Sequence, residues 1–532
     1  MQPVMYIKRR WMLWVILLVF IAFKIPHLHY PFYWDECWPY AVAVKQMYYN
    51  GPSLLPGAIS GEVARGHPLM FHFLAALWMK VFGTSNVAMH SFPLFISVLF
   101  AIAIHEVGAR LFHARVAITA VLLILFQQMF FVQAAFVLFE VFIAFLAFIS
   151  IYFYTTRKYV LTAVALTMLF YTKESGLVLG LVLGIDAVVG LFSRQSTIKH
   201  KAYNLLSLII PALCIGVFFL LQKKINGWYV LPLYTDGLEH SWGNFYDKFR
   251  GAVKVCFRDG YRRYFWGIIC LLSIVAAYVR KNPQYLVVLI AAPFTFLLCS
   301  DMYHWLIPAY ALVPLWIISV LLTAAMLPRT KAYDNKPQRK FIFLCAAFLV
   351  AFCAFTAYNL FFIDRYLLIA LVPLLFIAAL YYTTTLEAIH KKIWIPGLLV
   401  MLLVQGYAYV KDNNLSDISL GAFDGMYVQQ APVKYLEEHG YYNKNISILE
   451  NLQWQRLDDI NAGFRTTKEP FNFVYWGIME HTDIVLLENI ESNRAADTSA
   501  KLKKDTSFVL VQRVESGKAW SEIFVRKQLL KK

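Results

Sequence analysis

The run Trp11 to Trp38, WMLWVILLVFIAFKIPHLHYPFYWDECW, opens with thirteen apolar residues and closes on two adjacent carboxylates, Asp35 and Glu36, set among large aromatics. The apolar part suits the hydrocarbon layer. The segment behind it carries Pro26, Pro31 and Pro39 and cannot continue that helix, so it must leave the layer at the interface, where Tyr and Trp are favoured. Ionised groups are tolerated at that depth only in wet or enclosed positions, so Asp35 and Glu36 mark a candidate site. No small-residue cleavage motif follows the first apolar run, and it reads as a retained anchor with Met1 to Arg10 on the cytoplasmic side.

The same pattern recurs along the chain. Apolar runs of near-spanning length fall at 11–25, 92–111, 116–132, 136–154, 160–171, 177–192, 205–221, 265–279, 285–299, 305–327, 341–362, 367–386 and 394–410. About 20 apolar residues cross the hydrocarbon core, which predicts roughly thirteen transmembrane helices. The 532 residues are 60% hydrophobic and only 15% charged, and mean hydropathy is +0.56, a balance that excludes a soluble globular protein of this size. The net charge of +17 comes from short clusters between apolar runs, not from one basic face, which argues against nucleic acid as a partner.

Those clusters set orientation. Lys8-Arg9-Arg10, Arg110 to Arg115, Arg157-Lys158, Arg194 to Lys201, Arg280-Lys281, Arg329 to Lys340 and Lys391-Lys392 all fall on one side, the cytoplasmic one by the positive-inside rule. The loop 26–91, the loop 222–264, the Asp301 to His304 turn and the Asp364-Arg365 corner then face outward, as does everything after residue 410. The loop 222–264 is basic yet outward, and long loops obey the rule weakly. The pair of runs 160–171 and 177–192 has Lys173-Glu174 at its outward apex, and charges at that depth line a wet cavity. Seven cysteines follow no metal-ligand or disulfide spacing.

Beyond Val410 the composition becomes that of a soluble domain. A helix near Pro432 to His439, strand-like Ile446 to Leu449 and Asp483 to Leu487, a helix near Arg494 to Lys504, then Phe508 to Val514 and Ile523 to Arg526 read as a small α/β domain. The chain thus divides into 1–410, a membrane domain with the acidic loop 26–91, and 411–532, an outward domain. Asn414-Leu-Ser and Asn445-Ile-Ser are glycosylation sequons only in a eukaryotic secretory compartment.

The outward side offers Asp35, Glu36 and Glu140 as acids, and Arg65, His67, Lys173, His304 and Arg365 as cationic or titratable groups. Glu140 lies between Phe139 and Val141 at a membrane boundary, so its carboxylate must be solvated, paired or metal-bound; a plain interfacial acid at a helix start is the simpler alternative. Arg365-Tyr366 suits either anion binding or interfacial anchoring, and Tyr303-His304-Trp305 an aromatic belt. Asp35, Glu36 and Glu140 are the oxygen ligands available to Mg²⁺ or Mn²⁺, although nothing in their spacing requires a metal.

These segments carry a resemblance. Asp35-Glu36, an amphipathic stretch to Tyr49, Gly66-His67-Pro68-Leu69, and Phe71 to Phe82 followed by Gly83 are similar to the first outer loop of the polyprenyl-phosphate-dependent C-type (GT-C) glycosyltransferases. Protein O-mannosyltransferases and lipid A aminoarabinose transferases belong to that superfamily. Val137-Leu138-Phe139-Glu140 resembles its later acidic residue, and Tyr171-Thr172-Lys173-Glu174-Ser175-Gly176 its Thr-Lys-Gly-Pro segment. The likeness covers about the first 200 residues. In this chain His67 stands where Lys is usual, His90 where Arg is common, Glu174-Ser175 replaces Gly-Pro, and the second acid is Glu.

The resemblance implies an all-α polytopic membrane enzyme that moves a sugar from a polyprenyl-phosphate donor to an acceptor hydroxyl, with inversion, on the outward face of a bacterial inner membrane. Asp35 is then the general base, with Glu36 and Glu140 as accompanying acids. Lys173, Arg65, Arg365 and, more weakly, His67 bind the donor phosphate. The acceptor is a protein, glycolipid or polysaccharide. A transporter or flippase of a lipid-linked sugar, and a membrane-anchored binding protein, are the alternatives; the absence of any Gly-rich nucleotide loop agrees with a lipid-linked donor.

Overall fold

The computed structural model describes residues 10–193, 197–235, 238, 241–300, 307–327, 336–359, 362–411, 414–491 and 494–530. Lys8, Arg9 and the Tyr303-His304-Trp305 belt lie outside these residues.

Each apolar run becomes helix. Among the described residues, seven helices are long and apolar enough to cross a membrane: Asn86–Leu111, Glu174–Leu191, Ile198–Asn226, Arg262–Arg280, Lys336–Tyr358, Asp364–Ile389 and Lys391–Lys411. The other runs give shorter apolar helices, and one more, Met70–Phe82, lies inside the loop 26–91. Two runs are shortened for a visible reason. The run 116–132 breaks after Ala114–Leu125, where the Gln127 side chain accepts from the Phe130 amide and caps a separate helix, Gln128–Gln133. The run 136–154 becomes helical only at Glu140, because the preceding residues form a buried, irregular turn.

The helix Asp364–Ile389 is the most enclosed of the seven, with 89% of its span buried. It packs against Ala114–Leu125, Glu140–Thr155, Arg262–Arg280 and Lys336–Tyr358. Whatever stands at its first turn is therefore held at the centre of one end of the bundle, and that residue is Arg365.

After the last apolar helix comes a five-stranded sheet: β1 (Asn445–Ile448), β2 (Phe473–Trp476), β3 (Ile484–Glu488), β4 (Phe508–Ser516) and β5 (Ala519–Arg526), in the order β2-β1-β3-β5-β4. β1 runs parallel to β2 and β3, while β5 is antiparallel to β3 and β4. The helix Gly421–Glu438 covers β4 and β5. The sequence reading has these elements apart from β2 and the helix Asn451–Asp458.

This region is fastened to the loop 26–91. Lys45 Nζ donates to the Asn461 carbonyl at 2.9 Å, Asn86 Nδ2 to the Gly463 carbonyl at 3.2 Å, and the Tyr33 hydroxyl to the Leu415 carbonyl. The Tyr33 bond holds the chain at residue 415.

Candidate active site

Asp35 and Glu36 sit in one 3-10 turn, Trp34–Glu36, and point to different places. Trp34 has φ of +50°, left-handed backbone that bulky residues rarely adopt. Glu36 is fully buried. Its Oε2 accepts from the Tyr33 amide at 3.1 Å, and its Oε1 accepts from the Val137 amide at 2.6 Å and faces His90 Nε2 at 2.9 Å. His90 Nδ1 faces the Leu28 carbonyl at 2.9 Å. Glu36 thus ties the acidic turn to the irregular segment before Glu140. Asp35 keeps 37% of its side chain exposed and ion-pairs with Arg365 Nη2.

Arg365, only 2% exposed, gathers the rest. Its Nη1 pairs with Asp417, and its Nε lies 3.4 Å from Glu140 Oε1. The Lys173 ammonium is 3.9 Å from the same Glu140 oxygen, 3.8 Å from the Tyr366 ring centroid and 4.4 Å from that of Phe139. Glu140 Oε2 is buried and has no hydrogen-bond partner among the described residues. A buried carboxylate oxygen without a partner is costly, so a group supplied from outside would gain by meeting it.

Asp35, Glu140, Lys173 and Arg365, far apart in sequence, therefore form one cluster. Two cations face three carboxylates, an excess of negative charge in a poorly solvated place. Burial pushes the Asp417 carboxyl above its usual range against the pull of Arg365. Burial likewise holds Lys173 below the ordinary lysine range, opposed by Glu140 and Glu174.

Two further sequence candidates lie outside the cluster. His67 Nδ1 faces the Glu174 carboxylate at 3.0 Å, and its ring lies edge-on to Phe139 at 5.4 Å. Arg65 ends the short helix Gly61–Ala64 in left-handed backbone, its amide donating to the Gly61 carbonyl at 3.1 Å, and among the described residues its side chain makes no hydrogen bond or ion pair. Among the described residues no group of three or more His, Cys, Asp or Glu is arranged to hold a metal ion. A guanidinium joins Asp35 to Glu140, and Glu36 turns to the Val137 amide instead.

Asp417 was not found by sequence reasoning, since it sits in a polar stretch with no motif around it. His90 was noted only as a departure from the Arg common in relatives.

Two cavities lie in the helix bundle. A crevice of about 550 Å³, lined by residues such as Trp266, Cys270, Leu349, Ile377 and Tyr381 together with Arg258 and Arg263, includes none of the cluster residues in its walls. A polar chamber of about 380 Å³ shares those two arginines and includes Gln127, Asp259, Arg262, Asp364 and Asn414. Asp364 brings its wall next to Arg365.

Residues 66–219 match the family model described as dolichyl-phosphate-mannose-protein mannosyltransferase. The resemblance to polyprenyl-phosphate-dependent GT-C glycosyltransferases is borne out there. The match contains His67, Glu140 and Lys173. Among solved structures, the chain is similar to ArnT from Cupriavidus metallidurans in the apo state, at 12% identity with a TM-score of 0.47, covering 96% of this chain and 97% of that one. It is also similar to the same protein bound to undecaprenyl phosphate, at 12% identity and a TM-score of 0.43, covering 96% and 98%. No curated protein matches the chain.

Proposed function

We propose that this membrane protein, similar in sequence to a glycosyltransferase family, transfers a sugar from a polyprenyl-phosphate donor to an acceptor hydroxyl. The observation that carries the reading is the convergence of Asp35, Glu140, Lys173 and Arg365 from separate segments on one end of the helix bundle. General-base catalysis needs a carboxylate that can reach the acceptor, and departure of a phosphate needs fixed positive charge. Asp35 is the exposed acid of the cluster; Arg365 and Lys173 are its cations.

In the proposed step the acceptor oxygen attacks the anomeric carbon as its proton passes to Asp35. The bond from that carbon to the phosphate oxygen breaks, and its electron pair leaves on polyprenyl phosphate. A single displacement inverts the anomeric centre. Asp35 must first part from Arg365, because a carboxylate held by a guanidinium is a poor base; an arriving phosphate offers Arg365 the replacement anion. The crevice suits the polyprenyl tail, with Arg258 and Arg263 in its wall as further phosphate partners. Glu36 acts as a tether. His67, paired with Glu174, and Arg65, apart from the cluster, are the weaker phosphate ligands. Asp35, Glu140, Lys173 and Arg365 belong to a membrane domain 1–410, and the sheet to an accessory domain 411–532. By the distribution of basic loops, the cluster and the sheet face outward from a bacterial inner membrane, with the N-terminus cytoplasmic.

The test is a transfer assay with detergent-purified protein, radiolabelled polyprenyl-phosphate sugars and candidate acceptors. Release of polyprenyl phosphate without any membrane gradient is expected. Activity confined to sealed vesicles, with the lipid crossing intact, would instead make the protein a flippase.

A further inference from the structure

Arg365 has three carboxylates around it, and only two come from the segments that carry the resemblance. The third, Asp417, lies in the connection between the last apolar helix and the helix Gly421–Glu438. Asp417 is buried, and its carbonyl accepts from Gln133 Nε2 at 2.7 Å, so the backbone behind the carboxylate is anchored to the short helix Gln128–Gln133. Two residues earlier the Leu415 carbonyl accepts from the Tyr33 hydroxyl, beside Asp35. The segment holding Asp417 is therefore pinned at residues 415 and 417, by Tyr33, two residues from Asp35, and by Gln133.

A guanidinium is planar and presents its donors in a fixed fork, so a carboxylate on one edge sets where the others point. Asp417 takes Nη1, which leaves Nη2 for Asp35 and Nε for Glu140. Without Asp417, Arg365 is free to turn toward either remaining acid. We propose that Asp417 is a positioning residue of the site: it holds Arg365 between Asp35 and Glu140, so that Asp35 can let go while the guanidinium stays in place. This rests on the reading of the cluster as the transfer site, and it makes residues beyond 410 part of that site.

Asp417 faces Arg365 directly, with the Asp35 and Glu140 carboxylates also acting on it. Two measurements on the full-length chain in detergent separate positioning from mere packing. The first is thermal unfolding. Asp417→Asn is expected to lower Tm by several degrees in the parent chain, and to leave it unchanged or raise it in an Arg365→Gln background, where the buried carboxylate has lost its partner. An equal loss in both backgrounds would overturn the proposal.

The second is binding of undecaprenyl phosphate between pH 5 and 8. Asp417→Asn removes a negative charge beside Arg365, so it is expected to bind the lipid about tenfold more tightly than the parent at pH 8. The two affinities should converge toward acid pH as Asp417 itself becomes neutral, and their ratio cancels the titration of the lipid phosphate. Asp417→Glu, which keeps the charge, is expected to follow the parent and serves if Asp417→Asn does not fold. A ratio near one that does not move with pH would contradict the proposal. Failure of the parent chain to bind the lipid would count against the transfer reading, while the unfolding comparison would still decide the role of Asp417.

Discussion

Among the described residues, Arg365 and Arg456 are almost wholly buried among carboxylates, and the difference between them separates a site from a fastening. Arg456, in the sheet region, ion-pairs with Glu488 and lies 3.8 Å from Glu491. Its neighbours are occupied: Glu488 also accepts from Gln429 Nε2 at 3.2 Å, and Glu491 accepts from the Leu452 amide at 3.2 Å. All of them come from the sheet region itself. Arg365 instead joins acids 330 and 225 residues away, one with 37% of its side chain exposed and another with an oxygen left unpartnered. A saturated cluster closes a fold. A cluster with a free oxygen and an exposed acid has capacity left for a substrate.

The sharpest way to break this contrast is Asp35→Asn, which keeps shape and removes the proton acceptor. Transfer is expected to fall about 10²- to 10⁴-fold, with Tm little changed, in a radiolabel assay. Arg456→Met is the counterpart. It leaves Glu488 buried without its cation and is expected to cost about 3–5 kcal/mol in denaturant unfolding. Turnover at temperatures where the variant remains folded should change less than threefold; a loss as deep as that of Asp35→Asn would erase the distinction.

Much of this organisation is legible in the sequence. The apolar runs are continuous and read directly as helices, and Asp35, Glu140 and Lys173 stand out because charge beside a membrane span is rare. Three things are not legible, for physical reasons. Adjacent acids in a short turn point in different directions, so the roles of Asp35 and Glu36 divide only once the turn is seen to place Glu36 on the Val137 amide. Arg365 reads equally well as an interfacial anchor, and its burial depends on which helix occupies the centre of the bundle. Asp417 has no local signal, since its partner is 52 residues away and its neighbours are ordinary loop residues.

A smaller effect sharpens the comparison on the sheet side. Burial raises the Glu491 carboxyl to about 7 from 4.5, with Arg456 opposing and Glu488 reinforcing the shift. The folded state therefore holds this proton more tightly than the unfolded state, and stability falls as pH rises from about 4.5 to about 7, by about 2–3 kcal/mol. Glu491→Gln, which keeps an acceptor for the Leu452 amide, should flatten the dependence of Tm on pH across that window. An unaltered slope would place its origin elsewhere. Smallest of all, Arg65→Ala is expected to shift stability by less than about 0.5 kcal/mol. It should alter lipid phosphate binding less than twofold; a tenfold loss would make Arg65 a principal ligand of the donor phosphate.

The most direct measurement is photocrosslinking of the purified full-length chain with a polyprenyl-phosphate sugar that carries a diazirine on the sugar, followed by peptide mapping. Labelling is expected on the peptides containing Trp34-Asp35 and Arg365-Tyr366, and to be competed by unlabelled polyprenyl phosphate. Competed labelling confined to the opposite ends of the membrane helices, or to the sheet beyond residue 440, would contradict assignment of sugar transfer to the Arg365 cluster.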